Sequence, residues 1–86
     1  VVGAQVANEL MNITGIKASF VFTKVKDTVY ISARSFEEVN VQLVMEKFGG
    51  GGHSAIAGAQ LTDVSVEAAM TQVKMQLRIM KNEGEI

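Results

Sequence analysis

Four glycines in a row, Gly49-Gly50-Gly51-Gly52, lead straight into the chain's one histidine, His53, and restrict its possible folds more than any other feature. Such a run cannot prolong a helix or a strand cheaply, because each glycine costs about 0.5–1 kcal/mol of ordering relative to alanine. Nor does it read as a linker. Linkers separate units that fold alone, and the elements on either side here are too short to do so. The chain has 86 residues and no cysteine, so no disulfide reinforces it. It must close a single small core around the glycine run, burying about 60% of the surface its unfolded form exposes.

The composition agrees with that and removes several functions. Apolar residues make up 48% and charged residues 20%, which suits a globular rather than a disordered chain. Eight basic against nine acidic side chains leave a net charge of −1, so bulk charge does not mark a nucleic-acid binder. Without cysteine there is no zinc knuckle and no thiol nucleophile, and one histidine cannot build a His-rich metal site. The carboxylates form no convincing pair either, so a two-metal cluster is not supported. No apolar run approaches the roughly 18 residues of a membrane span, and no signal-peptide pattern is read at the start. The first residue is valine rather than methionine. The expectation is one domain, residues 1–86, cut from a larger protein.

Along the chain, Val2, Val6 and Leu10 recur every four residues, with Ala7, Met11 and Ile13 beside them, and predict an amphipathic helix ending near Gly15. Ala18–Thr23 and Val29–Arg34 alternate, which predicts two strands joined by a turn at Lys26-Asp27. In the second strand Val29, Ile31 and Ala33 face the core, leaving Tyr30, Ser32 and Arg34 on the other side. Asn40 is a candidate cap for a helix carrying Val41, Val44, Met45 and Phe48, which the glycines end. Ala57–Leu61 reads as a short third strand. Ser65 caps a last helix with the stripe Val66, Ala69, Met70, Val73, Leu77 and Met80, closed by Gly84. The five methionines read as helix packing, although Met75 lies off the last stripe. The predicted class is α+β (mixed α/β), a small three-stranded sheet in the order α-β-β-α-loop-β-α.

Two features can hold an anion. Successive amides of a glycine turn can form a concavity for phosphate oxygens, approached closely because no Cβ intervenes. His53 adds a donor at its end. The plain alternative is a flexible loop with a solvated histidine. Arg34 offers a planar fork of donors suited to phosphate, against the plainer reading of a pair with Glu37 or Glu38. Lys17, Lys24, Lys26 and Arg34 face only Asp27 within the hairpin, so a basic sheet edge is expected despite the neutral total. Tyr30 can stack on a base or simply be an exposed strand tyrosine. The residues alone thus describe a small ligand-binding domain with an anion-cradling loop.

At Gly49–His53 followed by Ala57-Gly58, the sequence resembles the DHH-associated domain of the DHH phosphoesterase superfamily, a C-terminal module with a GGGH signature and a following small-residue pair. The segments Gly15-Ile16-Lys17-Ala18-Ser19-Phe20-Val21, Ile31-Ser32-Ala33-Arg34-Ser35, Asn40-Val41-Gln42 and Met45-Glu46 extend the likeness. In order and spacing they are similar to the GdpP-type, membrane-anchored cyclic-di-AMP phosphodiesterases of Gram-positive bacteria.

The resemblance implies that catalysis belongs to a separate DHH domain holding two divalent metals, usually manganese, with no catalytic residue, cofactor or metal in this chain. It implies that Arg34, Gly50, Gly51, Gly52 and His53 contact substrate phosphate, with Ser32, Ser35, Tyr30, Gly49, Ala57 and Gly58 as weaker candidates. Ile56 stands where this branch commonly has asparagine, so no base contact is carried over to it. The expected function is the substrate-binding half of an enzyme that opens cyclic-di-AMP to linear pApA, inactive as a fragment. Its expected setting is the cytoplasmic side of a membrane-anchored bacterial parent. Its expected partners are a cyclic dinucleotide or short oligonucleotide and the DHH domain of the same chain. Two alternatives stand beside this: a single-stranded nucleic-acid module of an exonuclease or oligoribonuclease, and a structural or homodimerising module.

Overall fold

The computed structural model describes residues 5–13, 16–36 and 39–86. Among these, five strands and two helices follow in the order β1 (Gln5–Ile13), β2 (Ile16–Val25), β3 (Thr28–Ser35), α1 (Val41–Glu46), β4 (Gly51–Gly52), β5 (Ile56–Thr62) and α2 (Val66–Asn82). The strands make one antiparallel sheet in the spatial order β1-β2-β3-β5-β4. The α+β class holds, but the sheet has five strands rather than three.

The first element is the main correction. Gln5–Ile13 is a strand, paired residue for residue with β2 from Gln5 opposite Lys24 to Ile13 opposite Ile16. A spacing of four residues fits a helical stripe, but it is also a multiple of two and fits one face of a strand equally well. Pairing with β2 decides between them, as tertiary context routinely overrides a local pattern. Met11 accordingly lies in a strand, not a helix. Val2 and the expected stop at Gly15 fall outside the described residues. The second correction is Gly51-Gly52, expected as part of a loop, which forms an edge strand on β5.

Elsewhere the local signals hold. The hairpin turns at Lys26-Asp27, with Lys26 at φ 59° and Val25 opposite Thr28. The Asn40 side chain accepts from the Leu43 N–H at 3.2 Å and the Ser65 hydroxyl from the Ala68 N–H at 3.0 Å, capping α1 and α2. Both helices end in the same way. Gly49 (φ 79°) and Gly84 (φ 77°) take the left-handed conformation. The next residue's N–H then reaches back five positions, Gly50 to the Met45 carbonyl at 2.9 Å and Glu85 to Met80 at 2.9 Å. A salt bridge of 3.4 Å between Lys47 and Glu85 joins the two helix ends.

Among the described residues, the buried strand side chains lie on one face of the sheet. Ala18, Phe20 and Phe22 of β2, Val29, Ile31 and Ala33 of β3, and Ala57 and Ala59 of β5 are buried. They meet Val41, Val44 and Met45 of α1 and Val66, Ala69, Val73, Leu77 and Met80 of α2. The rings of Phe20 and Phe22 stack with centroids 6.4 Å apart. Phe48 and Met70 pack partly buried against this core, while Met75 is exposed, in keeping with its place off the stripe. The opposite parity carries Tyr30, Ser32, Arg34, Ile56 and Gln60, all exposed. Among the described residues, no helix covers that second face.

The asymmetry sets an expected outcome for paired substitutions. Phe20→Ala should cost about 3–5 kcal/mol, whereas Tyr30→Ala on the bare face should cost less than about 1 kcal/mol. Urea unfolding of the two variants measures the difference.

Candidate functional site

The bare face gathers the residues singled out by sequence because β5 lies between β3 and β4. In the cross-strand register Ser32 stands opposite Gly58, and Gly58 opposite Gly51, so one row crosses three strands with two glycines. The neighbouring row on this face sets Arg34 opposite Ile56. The His53 N–H donates to the Ile56 carbonyl at 2.6 Å. His53 thus stands across β5 from Arg34, with about two strand spacings, roughly 10 Å, between their backbones.

The glycines are not equivalent. A Cβ on Gly50 would collide with the carbonyl oxygen of Gly58 and lie 2.7 Å from the Ala59 Cβ. One on Gly52, already at φ 143°, would meet the Ala57 Cα and the Ile56 carbonyl oxygen at 2.6 Å. Gly49 is required by the left-handed helix stop. Gly58 has the Ile31 carbonyl oxygen 3.0 Å from where a Cβ would stand. Gly51 differs from all of these, for a Cβ there would meet nothing within 4 Å and no left-handed φ demands glycine. Packing explains Gly50 and Gly52, the helix stop explains Gly49, and Gly51 is left unexplained.

The segment after the glycines is held firmly by the backbone. Besides the His53–Ile56 bond, the Ala55 carbonyl accepts from the Ser35 N–H at 2.9 Å and the Ser54 carbonyl from the Val41 N–H at 2.9 Å. These bonds tie the His53–Ile56 turn to the end of β3 and the start of α1. A freely flexible loop is therefore not what the glycine run forms.

Two depressions open on the bare face and share Ser32. One, about 530 Å³, is lined by Tyr30, Ile31, Ser32, Gly49, Gly50, Gly58, Ala59 and Gln60. The other, about 320 Å³, is lined by Ser19, Val21, Ser32, Ala33, Arg34, Phe36 and Ile56. Arg34 is exposed and has no ion pair among the described residues; Glu37 and Glu38, its expected plain partners, lie outside them. A guanidinium fork beside a row of bare backbone is suited to receiving a phosphate. As an edge strand, β4 also keeps backbone groups on its outer side that no ladder uses.

Not every expected residue reaches this face. Ser35 falls on the parity of the core residues, and Ala57 is buried within the core itself. Lys24 likewise falls on the helix-side parity, while Lys17 shares the bare face with Arg34. His53 is exposed at the rim and lines neither depression. Three residues that sequence reasoning passed over line the depressions: Phe36, Gln60 and Ser19. The signal for Phe36 was present, since the alternation Tyr30, Ser32, Arg34 continues to it. Among the described residues no group of three or more His, Cys, Asp or Glu side chains could hold a metal ion.

The model of the DHHA1 domain matches residues 2–79. This chain belongs to the DHHA1 domain family. Over 72 residues the domain is 53% identical to the cyclic-di-AMP phosphodiesterase GdpP of Geobacillus thermodenitrificans, covering 83% of this chain and 11% of that protein. It is 46% identical over 74 residues to the cyclic-di-AMP phosphodiesterase PdeA of Listeria monocytogenes, covering 85% and 11%. Bacillus subtilis GdpP is 46% identical over 72 residues, covering 83% and 11%. This DHHA1 domain thus spans about a tenth of the curated relatives it matches.

The unequal glycines give a direct stability contrast. Gly50→Ala should destabilise the domain by about 2–3 kcal/mol through its clash with β5. Gly51→Ala should be neutral or stabilising by up to about 1 kcal/mol. Thermal or urea melts of the two variants read the contrast, and equal losses would show that the run acts only as packing.

Proposed function

We propose that this DHHA1 domain is the substrate-holding half of a cyclic-di-AMP phosphodiesterase, in which the dinucleotide is opened to linear pApA. The observation that carries the reading is the juxtaposition of an exposed Arg34 with the Gly51–Gly58 row on one face of the sheet. The similarity to phosphodiesterases named for cyclic-di-AMP supplies the substrate. Arg34 approaches a phosphate from β3, while Gly51 lets the backbone of β4 come close from the far side of β5. His53 adds a donor at the rim. Each contact is charge-assisted, and each strengthens when a closing neighbour excludes water and lowers the local dielectric. Holding the phosphodiester in one orientation is itself catalytic, because it removes the entropy of positioning before bond cleavage.

The hydrolytic step belongs, in this reading, to a DHH domain elsewhere in the same protein. The described residues of this chain do not fit a divalent-metal pair, so the two metals implied by the resemblance are assigned to that domain. A membrane anchor would also lie elsewhere in the parent, since no helix among the described residues is long and apolar enough to cross a membrane. The net charge of −1 favours a small dinucleotide over a long polyanion as the occupant.

Titration of the intact protein tests the reading. Arg34→Ala should weaken cyclic-di-AMP binding by about tenfold or more, in line with a charge-assisted hydrogen bond of about 1.5–3 kcal/mol. Wild-type affinity and turnover in that variant would overturn the assignment. Binding of cyclic-di-AMP should also fall only mildly between two salt concentrations. A steep fall, and preference for a short single strand, would point to a nucleic-acid tract.

A further inference from the structure

Helix α2 carries a second apolar stripe that its own core does not use. Val66, Ala69, Val73, Leu77 and Met80 are buried. Met75 and Ile79, by contrast, are 56% and 46% exposed. Met75 stands two residues on from Val73, about 200° around the helix, so this stripe points away from the sheet. Ala68, Gln72, Met75, Ile79 and Asn82 follow one another at intervals of four, three, four and three residues. That alternation is the seam of a coiled coil, with Gln72 and Ile79 at its a positions and Ala68, Met75 and Asn82 at d. The two flanks of the seam differ in charge. Arg78 takes the g position on one side, and Glu83, five residues further on, the e position on the other. Both are exposed, and Glu83 continues the helical turn at φ −87°.

We propose that this seam is a homodimer contact, in which α2 of a second copy runs parallel to the first about a two-fold axis. The inference is independent of the phosphate-binding reading of Arg34. Charge selects both the occupant and its direction. In a parallel pair each g position meets the e position five residues ahead on the other helix. Arg78 then reaches Glu83 of the partner subunit, and the two-fold axis repeats the pair. An antiparallel pair centred on Leu77 would also set Met75 opposite Ile79. It would bring the two Arg78 side chains together beside the axis, where like charges repel. A β-branched residue at a, here Ile79, suits two strands, and in register Gln72 and Asn82 each meet their own copy across the axis. Two heptads fall short of the about three to four that mark a free coiled coil. Here α2 does not need the partner for its helicity, since its core face and the Ser65 cap already hold it. Association therefore costs no helix ordering. The contact leaves the uncovered face of each sheet pointing outward.

Analytical ultracentrifugation of the chain from about 10 μM to about 1 mM tests the contact. The expected result is a reversible monomer–dimer equilibrium. Ile79→Asp should weaken the dimer about tenfold or more, because it sets two carboxylates opposite each other in the seam. The melt of that variant at low concentration should match the parent chain, since the position is exposed. Arg78→Glu or Glu83→Arg alone should weaken the dimer about fivefold through the two symmetric pairs. The double exchange, Arg78→Glu with Glu83→Arg, should restore it, which a merely apolar contact would not do. A chain that stays monomeric over the whole range overturns the proposal. So does a dimer that Ile79→Asp leaves intact, since the copies then meet elsewhere. If Ile79→Asp separates the copies and the double exchange recovers nothing, the parallel arrangement is wrong.

Discussion

The close approach of Gly50 to β5 governs the arrangement of everything functional in this domain. No side chain can stand at Gly50, because the carbonyl of Gly58 and the Ala59 side chain occupy the space a Cβ would need. That contact draws the chain, as it leaves α1, directly onto β5, where Gly51 and Gly52 add an edge strand. With β5 already paired to β3, the glycine run and Arg34 end on one surface although they are separated in the sequence. The Gly49 helix stop aims the chain into this position, and the three backbone bonds of the following turn fix it there. A segment that composition alone would describe as loose is thereby among the more constrained parts of the molecule.

The one-sided sheet is the second consequence. Both helices cover the same face, so period-two alternation sorts every strand residue into support or surface. Phe20, Phe22 and Ile31 hold the layers together, while their neighbours Ser32, Arg34 and Tyr30 stay available. A small domain can keep an uncovered sheet face only if that face is not strongly apolar. Among the described residues it carries glycines, serines and polar chains, with Val6, Phe36 and Ile56 as exposed apolar side chains. Placing exposed apolar side chains next to an exposed arginine, on a face built away from the core, fits a surface that meets a ligand.

What was legible in the sequence followed from signals that are short-range. The alternation of Ala18–Thr23 and Val29–Arg34, the caps at Asn40 and Ser65, and the left-handed stop at Gly84 depend on neighbours within a few residues, and each is found in the structure. The segment Gln5–Ile13 was misread because a four-residue spacing fits both periodicities, and only its partner strand distinguishes them. Strand β4 could not be read at all, since two glycines carry no side-chain pattern and are a strand solely through pairing with β5. Phe36 was passed over although the alternation of β3 runs on to it, and its exposure is a property of the packed whole.

By itself, then, the sequence determined the α+β class, the ends of both helices, the two faces of β3 and the family to which the domain belongs. These depend on local sterics, hydrogen-bonding capacity and alternation, which travel with the residues. Only the tertiary structure decided that the first segment is a strand, that the glycine run forms a sheet edge, and which candidates share a surface. Those outcomes depend on register between distant strands, which sets Ser32, Gly58 and Gly51 in one row and sends Ser35 and Ala57 to the other side. Spacing along the chain cannot carry that information, because a shift of one residue in pairing would exchange the two faces.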